Sequence, residues 1–254
     1  MAKRPTSPRN RAKSHPLDEL AMRDEPTPAR SGKSLDMLDV VTAIVPDPRR
    51  KVWVTIKGRN GVLAKAPKSV LADAEIGTGA EWSAHTQALL TAAMQRFRCR
   101  ERAIKLLGVR ARSEAMLTAR LEAAGFEHVV IKETLSRLKK ENLVNDEAFA
   151  AQTAQRSALD RREGAALIQA RIEHEGISES TALRAVKPFA RASSELERAT
   201  AVAKAYDARL PKALSPTARA KRLLGAVARK GFDEETAFEA TRRALGRLPD
   251  SFAD

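Results

Sequence analysis

A chain of 254 residues with 43% hydrophobic but only 4% aromatic residues can bury a sizeable core, and its richness in Ala, Leu, Arg, Glu and Lys favours packed helices over sandwiches or barrels. A formal net charge of +14 and a pI near 10.3 point to an acidic partner: nucleic acid, an anionic surface, or a protein that holds nucleic acid. Cys99 is the single cysteine, which excludes an internal disulfide and fits a reducing compartment.

Residues 1–34 are rich in Pro, Ser, Thr, Arg and Lys without apolar periodicity, so they are expected to form a disordered basic arm. Within it "SGKS" (31–34) echoes a phosphate-binding loop, but Thr27 stands where that motif needs glycine and no strand precedes it. The N-terminal stretch lacks the apolar segment of a signal peptide, and no apolar run approaches the roughly 20 residues of a membrane span. A soluble, cytoplasmic protein without membrane contact is expected.

The next segment, 35–95, changes character. "VVTAIV" is β-branched, and "KVWVTIKGRNG" alternates Val52, Val54 and Ile56 against Trp53 and Thr55 before a Gly and Asn turn signal. This predicts a small β element, followed by a short helix over 69–75 and the loop "IGTGAEW". After Ser83 the pattern is helical almost to the end.

The helical part repeats itself. Leu117-x3-Leu121-x3-Gly125-Phe126 recurs as Ile168-x3-Ile172-x3-Gly176-Ile177 and as Leu223-x3-Val227-x3-Gly231-Phe232, with the glycines 51 and 55 residues apart. Apolar residues four apart share a helix face, and the glycine supplies a left-handed C′ position. Such an ending pairs Leu121 with Phe126, Ile172 with Ile177 and Val227 with Phe232 across the turn. Met116, Leu117 and Leu121 are expected in the core, Ser113 is the natural N-cap of the first motif helix, and Ser178 and Asp233 are better caps than Glu127 for the helices that follow the glycines. A further helix precedes each motif, over 100–109, 146–159 and 196–210. The predicted organisation is three three-helix repeats, 96–144, 145–194 and 195–247, with a tail over 248–254. Units of this size bury their faces by stacking, so an elongated, curved all-α array is expected.

Catalytic and metal-binding patterns are absent. His15, His85, His128 and His174 are scattered, and Ser178 occupies the place where "HEG" would need a second histidine for a zinc helix. No cofactor, metal site or enzymatic activity is expected, and Cys99 reads as a buried or half-buried thiol inside a helix. The remaining candidates are basic: Arg110 and Arg112 before the first motif helix, Arg161 and Arg162 before the second, Lys139 and Lys140 closing one helix, and Arg229 and Lys230 closing another. Arginine and lysine in a last helical turn also complement the dipole, so solvation is the competing reading for each.

"RARSEAMLTARLEAAGF", "LKKENLVNDEAFA", "RREGAALIQARIEHEGI" and "ARKGFDEETAFEATRRAL", in this order and spacing, resemble the successive repeats of the RecX family, bacterial regulatory proteins that modulate the RecA recombinase. The resemblance is carried by Arg110 to Glu114, by Asp146-Glu147-x-Phe149-Ala150, and by Lys230-Gly231-Phe232. The third unit departs most, with "LSPTARAKRLL" ahead of its motif. The resemblance implies tandem three-helix modules, related to helix-turn-helix units, that bind RecA filaments and inhibit their growth, ATPase and recombination activities. Contact with single- or double-stranded DNA, directly or through RecA, is implied as well, and a monomer is expected. The alternative is a RecA-independent helix-turn-helix protein whose helix after Gly125 enters the major groove. Glu127, Glu133 and Glu141 on and beside that helix are awkward next to phosphates.

Overall fold

The computed structural model describes residues 39–249. The basic arm expected over 1–34, its "SGKS", and residues 250–254 of the expected tail lie outside the described residues. The chain divides into two compact units, with the division between Phe97 and Arg98.

In the first unit, three strands, β1 (Ala43–Pro46), β2 (Trp53–Gly58) and β3 (Gly61–Pro67), form an antiparallel sheet in the order β1-β2-β3. Alternation decides which face is buried: Val54 and Ile56 point into a core with Val41 and Ala66, closed by Val70 and Leu71 of helix α1 (Lys68–Asp73). Val52, expected to point inward with them, is instead 65% exposed because the strand begins after it, at Trp53. The hairpin between β2 and β3 is held from outside by Asp39, whose Oδ1 accepts the amides of Val40 at 2.8 Å and Arg59 at 2.9 Å. These backbone donors keep its carboxyl below the usual carboxylate range.

Helix α2 (Ala84–Val109) gives Leu90, Ala93 and Met94 to that first core and Cys99 and Ala103 to the next. The helix expected from Arg100 thus begins at Ala84. Burial pushes the Cys99 thiol up, against a smaller opposing effect of its hydrogen bond with Thr134, which disfavours the reactive thiolate.

The second unit holds three helical groups, each with its own core. In the first, the end of α2 packs with α3 (Glu114–Glu122) and α4 (His128–Lys140) around Leu117, Leu121, Ile131 and Leu138. In the second, α5 (Asp146–Leu159), α6 (Ala165–His174) and α7 (Glu179–Val186) enclose Ala154, Ile168, Ile172 and Ile177. In the third, α8 (Ala192–Asp207), α9 (Pro216–Ala228) and α10 (Glu234–Leu245) enclose Leu223, Val227, Phe232 and Ala240.

Each motif helix ends as its sequence dictates. Gly125, Gly176 and Gly231 adopt φ of +85°, +80° and +80°. The Phe126 amide reaches back to the Leu121 carbonyl at 3.2 Å and the Gly125 amide to Glu122 at 2.9 Å, the paired bonds of a Schellman ending. The second motif repeats both, Ile177 to Ile172 at 3.4 Å and Gly176 to Glu173 at 2.8 Å, and the third repeats the glycine bond, Gly231 to Ala228 at 2.9 Å. Asp233 caps α10 through the Thr236 amide, whereas neither Ser178 nor Glu127 makes a side-chain bond to the backbone of its helix. The Ser178 hydroxyl is occupied by Ser180 and Thr181. Met116, expected in the core, is half-buried.

Candidate functional site

The heads of the motif helices carry both the joints between repeats and the candidate basic residues. Ser113, Gly164 and Ser215 are the N-caps of α3, α6 and α9; Ser113 and Gly164 hold equivalent positions before Gly125 and Gly176, whereas α9 starts about one turn earlier relative to Gly231. Ser113 is fully buried, and its hydroxyl serves two repeats: it accepts the Met116 amide at 3.2 Å and donates to the Glu175 carbonyl at 2.5 Å. At the next head the Gly164 amide donates to the Lys230 carbonyl at 2.8 Å. Glu175 and Lys230 are the residues just before Gly176 and Gly231, so one joint recurs with a hydroxyl donor in one copy and a backbone amide in the other.

A second bond recurs beside it. The first free amide of α3, that of Glu114, donates to Asp146 Oδ1 at 2.9 Å, and that of α6, Ala165, donates to Glu195 Oε1 at 2.7 Å. In both cases the next repeat's first helix supplies a carboxylate to a helix N-terminus, where negative charge is favoured. Nothing in the sequence marked Asp146 or Glu195 for this role, because each partner lies some thirty residues away from the amide it satisfies.

The glycines complete the joint. A Cβ on Gly176 would stand 2.3 Å from Ala115 Cβ, one on Gly231 would stand 2.3 Å from Leu167 Cβ, and one on Gly164 would stand 2.3 Å from the Gly231 carbonyl oxygen. Gly125 has open space around it. Gly176 and Gly231 therefore end a helix and admit the neighbouring repeat, whereas Gly125 only ends a helix.

On this shared frame the charges differ. Arg110 is exposed, and Arg112 is half-buried with Nε donating to the Leu106 carbonyl at 3.2 Å. Burial, and then the fields of Arg110 and Arg120, hold the Arg112 guanidinium below its ordinary pKa. Among the described residues none of these three arginines is ion-paired. In the second repeat Arg161 takes the place of Arg110, Glu163 that of Arg112, and Arg171 that of Arg120. Glu163 is 4% exposed and receives Arg171 Nε at 3.1 Å and Nη2 at 2.8 Å, a bidentate pair. The two arginine pairs thus coincide at Arg110 and Arg161 only, and Arg162 falls opposite Ala111.

The other candidates separate. Lys139 is neutralised by Glu114, while Lys140 is exposed with no ion-pair partner among the described residues. Arg161, Arg162, Arg229 and Lys230 are brought together along one cleft of about 380 Å³ between the second and third repeats. Lys230 Nζ spans it to the Arg161 carbonyl at 2.9 Å. Arg162 has φ of +52°, in a left-handed region that costs a non-glycine residue. Among the described residues no group of three or more His, Cys, Asp or Glu side chains could hold a metal ion, and no helix is long and apolar enough to cross a membrane.

Comparison with known proteins agrees with this architecture. A family model described as the first three-helix domain of RecX matches residues 99–138. The chain is 34% identical over 149 residues to the regulatory protein RecX of Corynebacterium efficiens, covering 58% of this chain and 71% of that one. It is 32% identical over 146 residues to the regulatory protein RecX of Chlorobaculum tepidum, covering 58% and 88%. A crystal structure of a regulatory protein RecX matches 78% of this chain and 97% of its own with a TM-score of 0.67 at 21% identity. That of RecX from Lactobacillus salivarius matches 60% and 98% with a TM-score of 0.55 at 16% identity. At those identities the two structures speak for the fold.

Proposed function

Since the chain belongs to the RecX family of regulatory proteins, we propose that it binds the RecA recombinase on DNA and inhibits filament growth, ATP hydrolysis and recombination. By that route it modulates DNA repair and the SOS response. It does so by occupancy, without a catalytic step of its own. The observation that carries this reading is the head of the first motif helix, where half-buried Arg112 lies in the fields of Arg110 and Arg120 and none of the three is ion-paired among the described residues. Mutual repulsion among fixed cations is a cost to the free protein that an anionic partner relieves. Arg161 stands at the same position one repeat later, so cationic contacts recur along the chain. Several modest contacts on one polymer add up to useful avidity.

The competing reading sets α4 in a DNA major groove with RecA uninvolved. It is weakened by the pairing of Lys139 with Glu114, which removes a phosphate contact from that helix and leaves its glutamates facing the backbone charge. Titration of the protein into RecA hydrolysing ATP on single-stranded DNA separates the two. The proposal expects inhibition at micromolar concentration or below. Undiminished hydrolysis together with a mobility shift on naked duplex would favour the competing reading.

A further inference from the structure

The cleft between the second and third repeats has a composition that neither the fold nor the joints require. Beside Arg161, Arg162, Arg229 and Lys230 it is lined by Arg209, and Asp160 is the single carboxylate in its lining. Its apolar lining comes from Val202, Ala205, Ala226 and Tyr206, the only tyrosine of the chain. Tyr206 is half-buried, packed on the third core and lining the cleft as well.

We propose that this cleft binds one nucleotide unit of an unpaired DNA strand, with the phosphate on the arginines and the base against Tyr206. The proposal deepens the reading of the chain as a regulator of RecA on DNA and rests on it for biological setting, though not for chemistry. Five cations around one carboxylate select an anion, and guanidinium groups match phosphate oxygens in pairs. An inorganic anion would use the charges and leave the tyrosine and its apolar neighbours idle. A strand supplies both a charge and a flat π-face, and stacking on an aromatic ring tolerates any base. Bases inside a duplex have their faces covered by their neighbours, so an unpaired strand is the form that can offer one. Aromatic residues make up only 4% of the chain, which argues against stacking as its general mode of binding. It does not argue against one tyrosine placed among five cations.

The cleft is also held open by structure that does not depend on a ligand. The Gly164 amide to the Lys230 carbonyl, at 2.8 Å, and Lys230 Nζ to the Arg161 carbonyl, at 2.9 Å, tie its two walls. A site fixed before binding loses less entropy when it is occupied. The left-handed Arg162, with φ of +52°, is backbone strain of the kind that collects at binding sites.

The test is fluorescence anisotropy of a labelled oligothymidylate with the full chain, without RecA, over a series of salt concentrations. Arg209 is exposed and its side chain makes no hydrogen bond or ion pair among the described residues, so Arg209→Ala should fold normally, weaken binding about three- to tenfold, and lower the salt slope by about 0.7, one phosphate contact on a single strand. Tyr206→Phe should bind as the parent does, and Tyr206→Leu should bind about tenfold more weakly, as loss of one stacked base requires. Unchanged affinity and slope in Arg209→Ala and in folded Tyr206→Leu would overturn the proposal. So would displacement of the oligonucleotide by polyglutamate of equal charge concentration, which would identify an acidic peptide site, or by free dATP at equal nucleotide concentration, which would identify a mononucleotide site. The same variants in the RecA ATPase assay keep the two readings apart. Strand binding without any effect on RecA removes the proposed function and leaves this site, whereas inhibition by a protein that ignores the strand does the reverse.

Discussion

The joint between the first and second repeats and the joint between the second and third are built on the same bonds yet carry opposite electrostatics at the motif-helix head. In both, a donor at the N-cap reaches the carbonyl before the next glycine, and a carboxylate from the next first helix satisfies the leading amide. At the first head the position before the cap is Arg112, which faces two further arginines. At the second it is Glu163, which buries its charge against Arg171. Each bond that holds the repeats together has a backbone amide or carbonyl on at least one side, and the pattern therefore recurs although its side-chain partners change. Side chains around them are free to differ, and the proposed contacts lie among them.

The largest effects should come from the glycines, because they separate helix ending from repeat joining. Gly231→Ala combines a left-handed φ with a clash against Leu167, and is expected to cost roughly 3 to 5 kcal/mol. Gly176→Ala meets only the Ala115 side chain and should cost about 2 to 3 kcal/mol. Gly125→Ala, with the same φ and open space, should cost about 1 to 2 kcal/mol. Urea denaturation gives the order directly. Equal costs for all three would show that the glycines serve the helix endings alone.

Next in size is the charge difference between the heads. Glu163→Ala removes the partner of Arg171, which at 36% exposure keeps part of its hydration, so a loss of about 1 to 2 kcal/mol is expected. Arg112→Ala gives up one bond to the Leu106 carbonyl and relieves repulsion from Arg110 and Arg120. Its stability should stay within about 0.5 kcal/mol of the parent. A smaller loss for Glu163→Ala than for Arg112→Ala would mean that the second head is not the self-neutralised one.

The helices of the third repeat provide the finest contrasts. Asp233→Ala removes an N-cap bond to the Thr236 amide at 2.7 Å and should cost about 1 kcal/mol. Glu239 is held down to about 2 by hydrogen bonds from Arg242 and then Arg243. A depressed carboxyl contributes stability above its unfolded value near 4.5, and that contribution fades as pH falls from there through about 2. An NMR titration of the Glu239 carboxyl carbon should therefore show its midpoint near 2, and Arg242→Ala should raise it.

The repeat grammar was legible because its signals are local. Leu117 and Leu121 lie four apart, Gly125 follows at the C′ position, and the ending they dictate forms with the expected bonds; the helix over 146–159 has the predicted limits. Strand β3 was missed because "GVLAKAP" carries few β-branched residues and owes its form to pairing with β2. The head arginines were legible as cations, but their states were not. Arg112 depends on the Leu106 carbonyl and on Arg120, and Arg171 on a buried Glu163 eight residues before it. Arg198, tied to the carbonyls of Glu163, Phe189 and Ser194, showed no sign of that role. Tyr206 and Arg209 are separated from Arg161 and Arg162 by α6 and α7, and from Arg229 by α9, distances that only the fold closes.

The central claim is that the unneutralised head of the first motif helix acts on RecA. It is tested most directly by RecA's ATP hydrolysis on single-stranded DNA, titrated with the parent protein and with Arg110→Glu combined with Arg112→Glu. The account predicts inhibition by the parent and at least a tenfold higher concentration for half-inhibition by the folded double variant, about 1.4 kcal/mol or more. Equal inhibition by the two proteins would contradict it.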